Sequence, residues 1–197
     1  MSEYKHYVNC KIPGQLSFVT TTCLDWAHLF AREEMKTRMC LSLIRDCTKE
    51  RAKLYGYVVM SNHIHLVLKP HDLMTISVLA QRIKLNSVTR LRKYFLDSEL
   101  RQLQTQAGLN RHQYWQNSFR GNPLHSEKVS SQKLHYLHEN PLRAGLVESP
   151  EQYLWSSYHI LQAGHLGDDE SIDLRAVRDF YSRVLKESKC CLSTLSS

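Results

Sequence analysis

Two runs of strand-forming residues, LYGYVVM (54–60) and HIHLVLK (63–69), are separated only by Ser61 and Asn62. β-Branched and aromatic residues favour a pleated strand, and so short a connector makes the chain reverse at once. Asn tolerates the left-handed backbone that such turns often need. An antiparallel hairpin is expected, and the other elements must pack around it.

The flanking segments alternate in type. QLSFVTTT (15–22) follows Pro13–Gly14 and reads as a first strand. Residues 33–52 read as a helix, with Met39, Leu43, Ile44 and Cys47 at helical spacing. A second helix is expected over about 73–95, where Ile76, Leu79, Ile83, Ser87, Leu91 and Phe95 share one side. Residues 96–112 are polar and carry no assignment, and Tyr114–Trp115–Gln116 is the expected start of a last strand. A further helix is expected over 127–139, ending before Pro141 because the residue ahead of a proline is biased away from helical geometry. Residues 150–158 read as a loop, and 173–185 as a final amphipathic helix burying Leu174, Val177, Tyr181 and Val184. The order strand, helix, strand, strand, helix, strand indicates an α+β fold. It is expected to be a ferredoxin-like split βαβ antiparallel sheet with helices on one face, plus C-terminal helices. The catalytic domain is expected to span 1–158, with 159–197 as a C-terminal helical extension.

Alternation along the second hairpin strand sends Ile64, Leu66 and Leu68 to one face and His63, His65, Val67 and Lys69 to the other. The aliphatic face belongs against the helices, which leaves the histidine face as the open one. Backbones of such histidines stand ~7 Å apart, close enough for both rings to lean toward one cation. A His-x-His pair is equally well explained as two satisfied surface histidines. Tyr136 and Asn140 fall at i and i+4 on the expected fourth-strand-following helix, hence on one side. There they offer a phenol and an amide oxygen. Their bland readings are a core aromatic, in a chain with ten tyrosines, and a residue that closes the helix before Pro141.

Charge narrows the partners. The 197 residues carry 26 Lys and Arg against 19 Asp and Glu, a net +7. Such a surplus favours polyanions, chiefly nucleic acid. With no polybasic tail, a DNA surface must be built from residues on folded elements. Arg82, Lys84, Arg92, Lys93 and Arg143 are the candidate phosphate contacts, with a solvated helix face as the plain alternative. Trp115 is a candidate platform for an unpaired base or else a core residue. The six cysteines (10, 23, 40, 47, 190 and 191) contain no Cys-x-x-Cys pair, which argues against a zinc ribbon and a disulfide framework. No apolar run approaches the ~20 residues of a membrane span, and the amino terminus lacks a signal-peptide core. A cytoplasmic setting without membrane contact is expected.

The segment from Tyr57 to Leu68 (YVVMSNHIHLVL) resembles the histidine–hydrophobic–histidine motif of the single-tyrosine transposases. The stretch KLHYLHENPLRAGLVESPEQYLWSSY, from Lys133, is similar to the nucleophile helix and following segment of the REP-associated tyrosine transposases. FVTTT (18–22), Asp25–Trp26, Leu29–Phe30 and Tyr114–Trp115–Gln116 resemble further blocks of that family, so the likeness covers about 16–158. Ser61 stands where many relatives have Pro, and Asn140 where insertion-sequence members often carry Gln.

The resemblance implies a DNA transposase acting on single-stranded or hairpin (REP-like) DNA, with a divalent metal as cofactor. It matches His63 and His65 to the metal pair, Tyr136 to the nucleophile and Asn140 to a third ligand. It also implies a homodimer. Imidazole ligands favour softer ions while cellular abundance favours Mg²⁺, so Mg²⁺ or Mn²⁺ is expected. Attack by the phenol would leave a 5′-phosphotyrosine and free a 3′-hydroxyl. The covalent link retains the phosphodiester energy for rejoining. The alternative is a catalytically silent hairpin-DNA-binding regulator derived from a transposase.

Overall fold

The computed structural model describes residues 11–103, 113–167 and 169–194. The expectations above for the amino terminus, for residues 104–112 and for the side chains of Cys10, Cys190 and Cys191 lie outside the described residues.

Strands β1 (Ser17–Thr22), β2 (Lys53–Val59), β3 (His63–Lys69) and β4 (Arg120–Pro123) form one antiparallel sheet in the order β2-β3-β1-β4. This is the α+β, ferredoxin-like arrangement expected from the element order. The hairpin closes with Met60 N–H donating to the His63 carbonyl at 2.9 Å. β1 lies in the middle, with Thr20 opposite His65 and Thr22 opposite His63 on β3. On its other side Thr20 faces Arg120 of β4.

One face of the sheet carries α1 (Glu33–Lys49) and α2 (Ile76–Leu91). Met35, Met39, Leu43 and Cys47 from α1 join Ile76, Leu79 and Ile83 from α2 in the core. Ile64, Leu66 and Leu68 supply the sheet side, each at 1% exposure or less. The Thr75 hydroxyl caps α2 by accepting from Val78 N–H at 3.4 Å. An ion pair fastens the two helices. Asp46, fully buried, accepts from Arg90 at 2.6 and 2.9 Å and from Asn86 at 2.9 Å. A short α3 (Asp97–Gln102) follows, and the Glu99 carboxylate clasps Arg32 at 2.9 Å.

The histidine face does not stay open. α4 (Glu127–Arg143) crosses it, capped by the Ser126 hydroxyl, which accepts from Val129 N–H at 3.3 Å. Gly56 of β2 makes this approach possible: a Cβ there would stand 2.4 Å from the Leu134 side chain. Aliphatic alternation alone had left this face for substrate, but a second apolar stripe, on α4, competes for it.

Two element boundaries differ from expectation. Residues 114–116 form no strand; Trp115 makes a single bridge to Cys23, and the last strand is Arg120–Pro123. RGNP has poor intrinsic strand character, and its place is decided by pairing with β1 at the sheet edge, where a proline is tolerated. The second difference is that α4 runs through Pro141 to Arg143. Pro141 cannot donate to the Leu137 carbonyl, but the Asn140 side chain does so at 3.4 Å while also donating to the Tyr136 carbonyl at 2.8 Å.

The segment after α4 wraps the free edge of β2. Val59 N–H donates to the Trp155 carbonyl at 2.9 Å, and Ser157 N–H to that of Tyr57 at 2.8 Å. This pairing covers part of an otherwise bare strand edge. α5 (Tyr158–Gln162) leads on to α6 (Leu174–Thr194), which packs on α1. Val177 and Tyr181 of α6 are fully buried, and the Tyr181 hydroxyl meets that of Tyr57 at 3.1 Å. Among the described residues no helix is long and apolar enough to cross a membrane.

Candidate active site

β3 sets His63 and His65 side by side, their ring centroids 4.8 Å apart at 75°. Each ring is held through its Nδ1. His65 Nδ1 lies 2.7 Å from the Thr20 hydroxyl across the β1–β3 ladder, and His63 Nδ1 lies 2.7 Å from Asn62 Oδ1 in the hairpin turn. That leaves Nε2 of both rings as the edges for another partner. Burial lowers the pKa of His63 from its ordinary value. His65 is driven down to about 3, mainly by burial and further by the nearby charges of His63 and Lys133, with the Asn140 side chain opposing the shift. Both shifts favour the neutral imidazole, the form in which a histidine can bind a cation.

α4 brings the remaining groups. The Tyr136 ring stands 5.9 Å from His65 at 69°, and 6.0 Å from Phe18 at 72°. Phe18 in turn stacks on His65 at 5.4 Å. The Asn140 Nδ2 is spent on the helix backbone, so Oδ1 is the atom left to face His65. Arg143 lies 5.3 Å from the Tyr136 ring and Lys133 lies 5.5 Å from it. The helix is pinned to the sheet by His138, whose Nε2 is 2.8 Å from the Ser157 hydroxyl, itself 3.0 Å from Tyr57 N–H. Among the described residues no three His, Cys, Asp or Glu side chains gather as a metal cage. A cation at this place would rest on two neutral imidazoles and an amide oxygen. Those donors suit a divalent ion that keeps open positions for substrate.

A family model described as "Transposase IS200 like" matches residues 19–140, a span that contains His63, His65, Tyr136 and Asn140. The chain belongs to the IS200-like transposase family. No curated protein matches it. Among solved structures, this transposase-family chain is similar to a REP-associated tyrosine transposase bound to a REP hairpin. The two share 19% identity over 83% of this chain and 87% of the other, with a TM-score of 0.60, which shows a common fold. A protein of Deinococcus radiodurans assigned as a transposase matches at 19% identity over 71% of this chain and 97% of its own, with a TM-score of 0.45.

Within this family member, the structure brings together His63, His65, Tyr136, Asn140 and Arg143. It does not bring the other four basic candidates there. Arg82 pairs with Glu50, and the Lys84 ammonium donates to the Gln116 carbonyl and, at 3.4 Å, to that of Asn117. Arg92 and Lys93 occupy a 3-10 turn after α2, Lys93 lying 5.0 Å from the Tyr94 ring. All four belong to the helical layer behind the sheet. Trp115 is a core residue: it is buried, and its indole N–H donates to the Ser87 hydroxyl at 3.1 Å. Sequence reasoning passed over Thr20, Asn62, Phe18 and Lys133. Lys133 was within reach, three positions ahead of Tyr136 on the same helix. Thr20 was not, because its pairing with His65 depends on strand register.

Proposed function

We propose that this transposase-family protein cleaves and rejoins single-stranded or hairpin DNA by metal-dependent transesterification, with Tyr136 as nucleophile. The observation that carries this reading is one face of α4 holding Tyr136 and Asn140 against the His63–His65 pair. The fold shared with a transposase bound to a REP hairpin supports the choice of substrate class.

Nε2 of His63 and His65 and Oδ1 of Asn140 would hold Mg²⁺ or Mn²⁺. When bound, the ion supplies Lewis-acid charge to a phosphate oxygen. The protein's own groups do the rest. Thr20 and Asn62 keep the two rings in one orientation, and α4 sets the phenol beside them, which reduces the entropy lost in reaching an attacking geometry. The Tyr136 oxygen forms a bond to phosphorus as the bond from phosphorus to the 3′ oxygen breaks. The phenolic proton is released to solvent and the departing 3′ oxygen takes one up. A 5′-phosphotyrosine and a 3′-hydroxyl result. A second 3′-hydroxyl reverses the step and joins the strand elsewhere without a nucleotide cofactor. In this reading residues 1–158 form the catalytic unit and 159–197 an extension that braces it.

Incubating the protein with a hairpin oligonucleotide bearing a single-stranded flank tests the assignment. The wild type should yield a covalent adduct on denaturing gels, lost with a chelator and restored by Mn²⁺. Tyr136→Phe should bind DNA and metal as before and form no adduct, while the Phe variants of Tyr94, Tyr114 and Tyr153 still form it. His63→Ala and His65→Ala should abolish cleavage. Absence of an adduct from every protein would favour a silent DNA-binding regulator, and cleavage by metal-free protein would remove the metal from the reaction.

A further inference from the structure

Lys133 precedes Tyr136 by three residues on α4, so the two side chains share a helix face. Its ammonium stands 5.5 Å from the Tyr136 ring centroid and 5.4 Å from that of Phe18. Phe18 stacks on His65, and the Lys133 charge reaches the His65 ring as well. The cation therefore sits over the aromatic floor that joins the nucleophile to the metal pair.

No carboxylate of the described residues lies within ion-pair distance of it. Among the described residues Lys133 makes no ion pair and no hydrogen bond, whereas Arg143, on the same helix, is engaged by Glu139. The other site groups are two imidazoles, an amide, a phenol and the Arg143 guanidinium, whose charge is already met by Glu139. A half-buried ammonium gives up part of its hydration, and ring faces return only some of that. A phosphodiester brings the negative charge that Lys133 is missing.

We propose that Lys133 receives a non-bridging oxygen of the phosphodiester that Tyr136 attacks, and stabilises the charge that gathers there during attack. The proposal rests on the reading of Tyr136 as nucleophile. Lysine suits this task as a mobile point charge with three donors, and no bond to it is made or broken. A preorganised cation of this kind acts more strongly on the transition state than on the bound strand. Adduct rate should therefore suffer more than affinity.

Lys133→Met keeps an unbranched stem and a similar helix propensity, so the fold should persist, with an unchanged melting temperature as the check. Its rate of adduct formation should fall about 100-fold or more, and Lys133→Arg should recover most of that loss. Removing a like charge beside the histidines should also tighten Mn²⁺ binding, measured without DNA, by roughly threefold or more. A merely structural lysine would not produce that rise. In protein carrying Tyr136→Phe, a neutral methylphosphonate moved one phosphate at a time along the oligonucleotide should weaken binding at the cleavage position. The same position should be silent once Lys133→Met is added. Rates and Mn²⁺ affinity within twofold of wild type, with methylphosphonate sensitivity intact, would overturn the proposal and leave Tyr136 in its role. If the wild type forms no adduct at all, the transferase reading fails, and the methylphosphonate pattern still decides whether Lys133 contacts a phosphate.

Discussion

In the proposed role, His63 and His65 would be readied for a cation by two oxygen atoms outside the His-x-His motif. With Nδ1 of each ring tied to Asn62 or Thr20 at 2.7 Å, the ring angles are set before any ion arrives. Such outer partners commonly contribute 10- to 100-fold to metal affinity. Thr20→Val keeps the branched shape and removes the hydroxyl. It should weaken Mn²⁺ binding by about 10-fold or more, while Thr20→Ser stays near wild type. Titration calorimetry of the three proteins checks this, and equal affinities would mean that strand packing alone holds the His65 ring.

At the scale of elements, everything turns on how closely α4 lies against β2 and β3. Gly56 permits that approach, because a methyl group there would meet Leu134 at 2.4 Å. Gly56→Ala should cost about 1–3 kcal/mol through overpacking and push Tyr136 away from the histidines, slowing adduct formation. Leu134→Ala opens the space again, so the double variant should regain part of both losses. Urea unfolding and gel assays of the three variants test the coupling, and strictly additive effects would show that the contact is not shared. α4 itself was only partly legible. Its start, its apolar side and the shared face of Tyr136 and Asn140 follow from periodicity. Its continuation through Pro141 does not, because it depends on the Asn140 side chain donating to the Leu137 carbonyl that proline leaves unserved.

For the whole molecule, buried histidines tie stability to pH. Burial drives His65 down to about 3 and His138 and His159 to about 4, from an ordinary 6.5. Each lowers its folded pKa below its unfolded one, so in the interval between them the unfolded chain binds more protons. Stability is then whole above about pH 6.5 and is lost as pH falls toward 4, with a slope of up to ~1.4 kcal/mol per pH unit for each ring. These rings are widely spread through the packing. His138 pins α4 to the β2 edge through Ser157, and His159 lies 4.5 Å from Phe180 of α6. The metal-free protein should show a nearly constant urea midpoint from pH 8 to 7 and a steep fall between pH 6 and 4.5. A midpoint that stays level across the acid range would mean that these rings accept protons where they sit.

The sequence by itself determined the hairpin, the order of strands and helices, the face on which each histidine lies, and the helical pairing of Tyr136 with Asn140. All of these follow from spacings of a few residues, where backbone geometry leaves little choice. The tertiary structure decided the rest. It placed β4 at 120–123 rather than 114–116, laid α4 across the face that alternation had left empty, and spread Arg82, Lys84, Arg92 and Lys93 away from the site. It also supplied Thr20 to His65 across 45 positions of chain. Contacts of that separation depend on strand register and on which apolar surfaces win the competition for burial. Those are properties of the packed molecule, and no local pattern encodes them.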